Sequence, residues 1–466
     1  MRGYLILLSI FTGVLTPLSQ APYGLSFLAF FAFTPLFITL RHISTYKEAL
    51  FYGSISGVTA NLFAYRWVLN TLGIFFGLTI EKRLALYALY CFLGQAQYLI
   101  FLSLGIFLKK RYPNHSKYES LLLCVSSSLS LKLFGDSIGY AFISVHLLKP
   151  IYSTFGVKLL ELICALSSSL IAYLVANKSD SQIKHSLVYL SSLSVIVGFG
   201  LFGSPDNPTQ DTSHLQGSKF KIAVIQPNIS MSRKRENAFL GVKSVVSEII
   251  ELSKKAMKEN PGTNLIIWPE YAVPFDWGAK NEISVTFERV INDFVLEHNT
   301  HLLFSVREKT PDGQYFNSAL LLSPQKTHIY TQRYKKTILA LFSEYNPLSN
   351  NNTLSTGDGP GLLTIPHNGK TIRISPMICY EGLSEDYAHS LGALPHDLTV
   401  ILTSEQWLND IGAQKTFLDV NRSRAISTRA PLVKVSNSGI SAFIDQGGRV
   451  LNQTPVNVPT YLVWEF

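Results

Sequence analysis

The sequence predicts a chain of two parts, an α-helical multi-span membrane domain followed by an α/β domain built as an α-β-β-α sandwich. Three observations support this fold class: an uneven charge distribution, long apolar stretches in the first half, and alternating strand and helix patterns in the second. A length of 466 residues favours two or three domains. We expect residues 1–203 to form the membrane domain, 204–218 a linker and 219–466 the second domain.

The charge distribution separates the two parts. Charged residues make up 15% of the chain, below the roughly 25% usual for soluble domains. The chain has 40 basic residues (Lys and Arg) and 31 acidic residues (Asp and Glu). Residues 1–203 contain 15 basic and 6 acidic residues, so residues 204–466 contain 25 basic and 25 acidic residues. A basic, apolar half beside a neutral half is typical of a membrane protein with basic loops and argues against a nucleic-acid partner.

Seven apolar stretches in the first half are long enough to cross a bilayer core of about 30 Å, which takes about 17 to 25 helical residues. They are residues 3–19, 24–40, 47–73, 84–108, 118–145, 153–177 and 185–203. The fifth is the least regular, because Lys132 and Asp136 interrupt it. Lys158 and Glu161 share one face of the sixth, where snorkelling to the interface is favoured over a functional pair.

Basic residues between the spans predict the orientation. With a cytoplasmic amino terminus, one side of the membrane receives more of them and is therefore cytoplasmic. This side has Arg2, Arg41, Lys47, Lys109, Lys110, Arg111, Lys117, Lys178 and Lys184, and the other has chiefly Arg66, Lys82, Arg83 and Lys149. An odd number of spans then places the second domain in the periplasm of a bacterial cell, attached to the inner membrane.

Short apolar strands and amphipathic helices alternate after the linker. Strands are predicted over residues 221–226, 264–268, 301–306, 316–323, 328–334, 361–366, 371–378, 398–403, 431–437 and 441–446, and helices near 238–257 and 283–298. His367, Asn368 and Gly369 predict a tight hairpin. The final PTYLVWEF has strand-like character. Many strands with few helices, several of the strands apolar on both faces, predict two sheets covered by helices.

Three residues that could carry chemistry each lie just past a predicted strand. They are Glu270 in IIWPEYAVPF, Lys336 in YTQRYKKTILALFSEY and Cys379 in SPMICYEGL. Strand ends present side chains to a common crevice. A thiol with a pKa of about 8.5 is only about 3% thiolate at pH 7, so a catalytic cysteine needs a base, and the anion that follows needs a cation.

Each of these residues also has a plain structural explanation. Taken singly, Cys379 is better explained as a buried small hydrophobe, Glu270 as a turn cap and Lys336 as a solvated charge. Cys379 is the only cysteine after residue 203, which excludes a disulfide within that part of the chain. The sequence has no GxSxG, HExxH, paired CxxC or Walker motif, and we expect no metal and no cofactor.

Taken together, the strings WPE, YxK and CYE, in this order, resemble the nitrilase, or carbon–nitrogen hydrolase, superfamily. The resemblance implies an α-β-β-α sandwich with a catalytic triad of Glu270, Lys336 and Cys379. Lys336 is chosen over Lys335 because the pattern is Y-x-K and because a second glutamate, Glu344, follows eight residues later. A multi-span half ahead of such a domain resembles the lipoprotein-acylating members of the superfamily.

This resemblance implies a reaction. A fatty acyl chain would pass from a phospholipid, typically phosphatidylethanolamine, to the α-amine of the diacylglyceryl-cysteine of an apolipoprotein, the last step of lipoprotein maturation. The transfer would be a ping-pong reaction through a thioester on Cys379, with Glu270 as general base. Lys336 and the backbone N–H of Tyr380 would form the oxyanion hole.

The same resemblance assigns supporting roles and leaves alternatives open. Glu344 and Glu381 would orient Lys336 and the nucleophile loop, and Tyr380 and Trp407 would line the acyl or head-group pocket. The strings ILALFSEY and SEQWLN depart from the family's usual LVPFGEY and NDAWFG. A membrane-tethered amidase or nitrilase for small C–N substrates, and a diverged non-enzymatic scaffold, remain alternatives. A monomer is expected, with membrane lipids, the phospholipid donor and the diacylated acceptor as partners.

Overall fold

The computed structural model describes residues 1–112, 115–130, 132–145, 148–176, 219–235, 238–346 and 353–466, together with residues 191, 194 and 198. The chain divides into two compact units. We call Met1–Asn207 with Trp407–Asp419 the helical unit, and Pro208–Gln406 with Val420–Phe466 the sandwich unit. The predicted linker 204–218 lies outside the described residues.

The described part of the helical unit is α-helical, with short 3-10 turns at Ser26–Phe30, His115–Tyr118 and Ile138–Phe142. Its helices are α1 (Arg2–Leu18), α2 (Thr34–His42), α3 (Tyr46–Ala64), α4 (Val68–Phe76), α5 (Ile80–Leu93), α6 (Gln97–Arg111), α7 (Glu119–Leu129) and α8 (Lys149–Ala176). A capping box starts α3: the Thr45 hydroxyl accepts from the Glu48 N–H, and the Glu48 carboxylate accepts from the Thr45 N–H.

Small residues allow the helix backbones of this unit to approach closely. A Cβ atom at Gly13 of α1 would lie 2.6 Å from the carbonyl oxygen of Ser56 on α3. A Cβ atom at Gly53 of α3 would lie 2.6 Å from the Cα atom of Leu99 on α6. Glycine is the residue expected at such contacts, because it lets apolar helices come close enough to associate through van der Waals contact.

Two helical stretches in the described residues are long and apolar enough to cross a membrane, Ile80–Arg111 and Ile151–Val175. They coincide with the predicted spans 84–108 and 153–177. Shorter apolar helices occur at Arg2–Leu18, Ser26–His42 and Glu119–Leu129. The predicted span 47–73 falls on α3 and α4, and span 185–203 lies outside the described residues except for positions 191, 194 and 198.

The sandwich unit contains two six-stranded sheets. The strands are β1 (Lys221–Gln226), β2 (Leu265–Ile267), β3 (His301–Lys309), β4 (Tyr315–Gln325), β5 (His328–Lys335), β6 (Leu363–His367), β7 (Lys370–Ile378), β8 (Leu398–Thr403), β9 (Leu432–Ser436), β10 (Ala442–Ile444), β11 (Val450–Gln453) and β12 (Thr460–Glu465). The helices are α9 (Met231–Arg235), α10 (Phe239–Glu259), α11 (Glu282–His298), α12 (Glu385–Gly392) and α13 (Ile411–Thr428). The first residues of α13 are grouped with the helical unit.

The strand orders are β12-β1-β2-β3-β4-β5 in the first sheet and β11-β10-β9-β8-β7-β6 in the second. Strands β1, β2 and β3 are parallel, as are β7, β8 and β9, and antiparallel strands flank each group. The sheets face each other, with β1 in contact with β9 and β4 with β7. Apolar residues of α10 and α11 form one core with the outer face of the first sheet.

The structure confirms the predicted strands and corrects the helix count. Each predicted strand has its counterpart within a few residues, and PTYLVWEF contains β12. Asn368 and Gly369 both have positive φ, 47° and 76°, as a primed hairpin turn requires. The prediction lacked strand β11 and helices α9, α12 and α13, of which α13 packs against the second sheet. One contact between them is a hydrogen bond of 3.2 Å between Thr428 on α13 and Thr399 on β8.

Candidate active site

Three strand ends of the sandwich unit bring the predicted triad together. Glu270 follows β2, Lys336 follows β5 directly, and Cys379 follows β7 directly. The first two strands belong to one sheet and the third to the other, so the site lies where the facing sheets meet. Carboxyl ends of strands in facing layers form a crevice of the kind that holds ligands in α/β folds.

The Lys336 side chain is fully buried between two carboxylates. Its Nζ atom lies 2.6 Å from Glu344 Oε2 and 3.6 Å from Glu270 Oε1, and the residue is 1% exposed. Burial alone would lower the pKa of Lys336, but the negative charges of Glu344 and Glu270 outweigh it, and the pKa is raised. Lys336 therefore carries a permanent positive charge at neutral pH.

Asn317 on β4 connects the two carboxylates. Its Nδ2 atom donates to Glu270 Oε1 at 3.0 Å and to Glu344 Oε1 at 2.9 Å. The Ser305 hydroxyl donates to the side-chain oxygen Oδ1 of Asn317 at 2.7 Å, which fixes the orientation of the side-chain amide. The Lys336 N–H also donates to the backbone carbonyl of Asn317 at 2.8 Å, so one strand residue aligns acid and cation.

The two carboxylates differ in their pKa values although both are buried beside the same lysine. Burial raises the pKa of Glu270, and Lys336 only partly offsets that effect. Burial acts on Glu344 in the same direction, but Lys336 and the Ala340 N–H, 2.8 Å from Oε2, lower its pKa below the usual range. Glu344 is thus the fixed anion, and Glu270 is the carboxylate better suited to exchange a proton.

Cys379 has the backbone conformation of a residue held for function. Its φ of 50° is in the left-handed region, which costs energy for a side chain with a Cβ atom, and it starts a 3-10 turn, Cys379–Leu383. The half-buried thiol is close enough to Glu270 for the carboxylate to act on its pKa. Burial, followed by the charge of Glu270, raises the pKa of the Cys379 thiol well above its usual value. The resting nucleophile is therefore a neutral thiol beside a base.

Glu381 joins the cysteine turn to the lysine loop. Its Oε1 atom accepts from the Thr337 N–H at 2.6 Å, the Ile338 N–H at 3.2 Å and the Tyr334 hydroxyl at 2.7 Å. Its Oε2 atom accepts from the Ile378 N–H at 2.7 Å. These donors immediately surround Lys336 and Cys379 in the chain, so the fully buried Glu381 fixes the distance between cation and nucleophile.

The other end of the cysteine turn is bound by α13. Arg424 donates through Nε to the Gly382 carbonyl at 3.0 Å and through Nη2 to the Leu383 carbonyl at 3.1 Å. Asn421 donates to the Gly382 carbonyl at 3.2 Å. The turn is therefore held at both ends, by Glu381 at its start and by buried side chains of α13 at its close.

Lys234 on α9 is a second lysine at this crevice. Its Nζ atom donates to the backbone carbonyl of Glu270 at 3.1 Å. Burial lowers the pKa of Lys234 to about 8, with Glu270 opposing the shift. Lys234 thus helps to fix the backbone position of Glu270, the candidate base.

The structure brings together five of the residues singled out in the sequence: Glu270, Lys336, Glu344, Cys379 and Glu381. Tyr380 lies in the same turn as Cys379. Trp407 is grouped with the helical unit, where its ring packs at 5.9 Å from the Trp67 ring and its carbonyl accepts from the Thr71 hydroxyl at 2.9 Å.

Sequence reasoning missed Asn317, Arg424 and Lys234. A signal existed for Asn317, because an amide in the apolar string FNSALLLS, predicted to be a buried strand, needs partners. Lys234 and Arg424 stand in charged segments, where nothing distinguishes a buried cation from a solvated one.

Comparisons with known proteins show the family of this chain. The profile of the carbon-nitrogen hydrolase family matches residues 221–464, and that of the apolipoprotein N-acyltransferase N-terminal domain matches residues 12–170. The apolipoprotein N-acyltransferase of Bdellovibrio bacteriovorus is 23% identical, over 96% of this chain and 85% of its own length. That of Geobacter metallireducens is 30% identical, over 52% of this chain and 46% of its own.

Among solved structures, Nit3 of Saccharomyces cerevisiae, a member of branch 10 of the nitrilase superfamily, matches with a TM-score of 0.42 and 17% identity, over 53% of this chain and 89% of that chain. The family profiles together span most of both units. The resemblance predicted from the short strings is confirmed by them. The chain belongs to the carbon–nitrogen hydrolase family and carries the N-terminal domain of the apolipoprotein N-acyltransferases ahead of its hydrolase domain.

Proposed function

We propose that this chain is an apolipoprotein N-acyltransferase that moves a fatty acyl chain from a phospholipid to the α-amino group of a diacylglyceryl-cysteine. The two family profiles and the relatives of that name support the activity. The observation that carries the mechanism is the placement of Glu270, Lys336 and Cys379 at neighbouring strand ends, with the buried Lys336 ammonium 3.6 Å from the Glu270 carboxylate. A nucleophile, a base and a fixed cation are the groups that acyl transfer requires.

In the first half-reaction Glu270 takes the thiol proton as Cys379 Sγ attacks the carbonyl carbon of the sn-1 ester. The ester oxygen becomes an oxyanion, which Lys336 and the backbone N–H of Tyr380 stabilise. When the tetrahedral intermediate collapses, the C–O bond to glycerol breaks. Glu270 returns its proton to the leaving alkoxide, so a lysophospholipid departs and an acyl thioester remains on Cys379.

In the second half-reaction the free α-amine of the lipoprotein cysteine attacks the thioester carbonyl. Glu270 accepts a proton from this amine, the C–S bond breaks, and the proton returns to the thiolate. The product is an amide, and the neutral thiol is restored. The raised pKa of the Cys379 thiol favours this return, because a thiolate whose thiol form has a high pKa is a strong base.

We propose further that the helical unit is a seven-span domain of the bacterial inner membrane and that the sandwich unit is periplasmic. The two long apolar helices and the basic loops support this arrangement. Both substrates keep their acyl chains in the bilayer, which is why a membrane domain serves this chemistry. Glu344, Glu381, Tyr380 and Trp407 would have the supporting and pocket-lining roles stated above, and the enzyme would act as a monomer.

The test is to trap the thioester. The purified full chain in detergent, given phosphatidylethanolamine without acceptor, should gain the mass of one acyl group, and a diacylated lipopeptide added later should receive it. Cys379→Ala should abolish the adduct, whereas Cys124→Ala, a substitution of a thiol in α7 of the helical unit, should retain it. Full activity of Cys379→Ala would overturn the proposal.

The same experiment separates the alternatives. An amidase acting on small C–N substrates would turn over without phospholipid, and no phospholipid-derived thioester would form on Cys379. A scaffold would show neither adduct nor turnover. In the proposed reaction the acyl group passes to the α-amine of the lipopeptide and does not pass to an N-acetylated lipopeptide. This result distinguishes the proposed reaction from the amidase and from the scaffold.

A further inference from the structure

A cavity with both polar and apolar lining lies within the helical unit. The centres of water-sized molecules can occupy about 60 Å³ of it, and all of its lining residues belong to that unit. The lining includes Gln95, Gln97, Lys132, Asp136 and Glu161. Ionisable residues inside an apolar helical bundle are costly and generally mark a functional site.

The described charges of this lining do not balance. Lys132 contributes one positive charge, and Asp136 and Glu161 contribute two negative charges, which leaves a formal net charge of −1. The Lys132 ammonium donates to the Ser127 hydroxyl at 2.5 Å. Outside the lining, Lys158 approaches Glu161 at 3.6 Å, but its own side chain is 53% exposed.

Of the two carboxylates, Asp136 has an unfilled hydrogen-bond acceptor. Glu161 is 2% exposed, and its Oε2 atom accepts from the Ser137 hydroxyl at 3.2 Å. The Oδ2 atom of Asp136 is buried and has no hydrogen-bond partner within the described part of the chain. A buried carboxylate oxygen without a donor costs free energy unless a ligand supplies one. A ligand with a positive charge and several N–H groups would satisfy both acids.

Aromatic rings form the apolar part of the lining. The Phe134 ring lies 5.8 Å from the Tyr65 ring, 4.9 Å from the Trp67 ring and 6.2 Å from the Phe417 ring, measured between centroids. Such faces attract cations and also accommodate hydrocarbon. The cavity therefore combines acceptors for an ammonium group with an apolar wall for the chain attached to it.

We propose that this cavity binds the primary ammonium head of a membrane amphiphile. Two amphiphiles of the proposed reaction carry such a group, the ethanolamine of phosphatidylethanolamine and the α-amine of the diacylated lipopeptide. The choice between these two sources rests on the proposed function, but the ammonium site itself does not. Asp136 and Glu161 accept hydrogen bonds from the ammonium, and the aromatic wall holds the adjoining chain.

Binding is measured on the full chain with Cys379→Ala, so that no ligand is consumed. Native mass spectrometry in detergent compares phosphatidylethanolamine with phosphatidylglycerol, which lacks the amine, and a free diacylated lipopeptide with its N-acetylated form. Asp136→Asn and Glu161→Gln, tested singly, should each weaken binding of the amine-bearing ligand about ten-fold. Their unchanged binding of phosphatidylglycerol reports that the variants are folded.

The matched control is Glu119→Gln, since Glu119 is a buried acid of the same unit that lies outside the cavity lining. It should leave all affinities unchanged. An amine preference for the phospholipid pair alone identifies the lipid head as the ligand, and a preference for the lipopeptide pair alone identifies the α-amine. The proposed site is overturned if the amine-bearing ligand binds no more tightly than its amine-free partner in both pairs. It is also overturned if Asp136→Asn and Glu161→Gln both bind the amine-bearing ligand as tightly as the protein without these substitutions. Neither outcome depends on thioester formation, so failure here is distinct from failure of the proposed acyl transfer.

Discussion

Buried carboxylates occur in two regions of this chain, and the regions differ in how many donors reach them. In the active site Glu381 accepts four hydrogen bonds, and Glu344 accepts from Lys336, Asn317 and the Ala340 N–H. In the cavity of the helical unit, Asp136 Oδ2 accepts none from the residues that the structure describes. The first region is organised by the protein alone, as stabilisation of a transition state requires, whereas the second is suited to completion by a ligand.

Removal of the central cation should have the largest effect. Lys336→Ala should reduce thioester formation by more than about 100-fold, since a lost oxyanion donor costs about 3 kcal/mol. The rate is measured by intact mass after mixing with phosphatidylethanolamine. Lys335→Ala is the control, because the Lys335 ammonium lies over the Phe316 ring at 3.9 Å and not between the acids. An inactive Lys335→Ala beside an active Lys336→Ala would contradict the assignment.

Removal of one buried acid should mainly lower stability. Glu344→Gln leaves Lys336 with a weakened partner and should cost about 3 kcal/mol in the free energy of unfolding, the lower end for breaking a buried ion pair. Because the folded-state pKa of Glu344 is lowered, this loss should be full above the ordinary pKa of 4.5 and disappear as the pH falls below it. Chemical unfolding of the full chain in detergent measures it.

A surface pair provides the comparison for that measurement. Glu248 pairs with Arg233 at 2.5 Å, but the two side chains are 50% and 38% exposed. Glu248→Gln should therefore cost less than about 1 kcal/mol. If the two substitutions destabilise equally, burial is not what makes the Glu344 pair strong.

Loss of the bridging amide should shift a pH profile. The Asn317 N–H lowers the pKa of Glu270, so Asn317→Leu should raise that pKa further. The acidic limb of thioester formation, which requires ionised Glu270, should then move to higher pH by about one unit, since about 1.5 kcal/mol for a charged hydrogen bond corresponds to one pH unit. Ser318→Ala, at the next buried position of β4, should not move the limb, and a shift toward lower pH in Asn317→Leu would refute this role.

The smallest effect is expected in the cavity. Asp136→Asn removes a charge whose Oδ2 atom has no partner among the described residues, so stability should change by less than about 1 kcal/mol or increase. The same unfolding measurement applies. A loss as large as that of Glu344→Gln would show that Asp136 is satisfied within the folded chain and would remove the contrast between the two regions.

The sequence predicted the triad because the strings WPE, YxK and CYE together resemble one family, and its catalytic role stays a prediction. Glu270 and Cys379 follow apolar strands, but β5 ahead of Lys336 is largely polar, so apolar pattern alone does not single out that lysine. The sequence did not predict α13, since this helix buries Asn421, Ser423 and Arg424 and therefore has no clean apolar face. It could not predict the left-handed backbone of Cys379 either, because that conformation depends on Glu381 and α13 holding the turn from both ends.

Trp407 shows another limit of local strings. Its position in SEQWLN predicted a pocket beside the triad, and that role stays a prediction. Its ring packs against two rings that are distant in the chain, Trp67 at 5.9 Å and Phe134 at 6.3 Å, and against Phe417, ten residues further on, at 5.9 Å. These rings come together only in the folded helical unit, and no periodicity in the sequence predicts their contact.

Three of the four hydrogen bonds of Glu381 connect the cysteine turn, which follows β7, with Tyr334, Thr337 and Ile338 at the end of β5 in the other sheet. Neither sheet alone contains a base, a cation and a nucleophile in register. A chain that has folded only one layer therefore lacks the complete set of these groups. In the proposed mechanism such a chain could not form the thioester, so acylation activity would indicate that both halves of the sandwich have closed on each other.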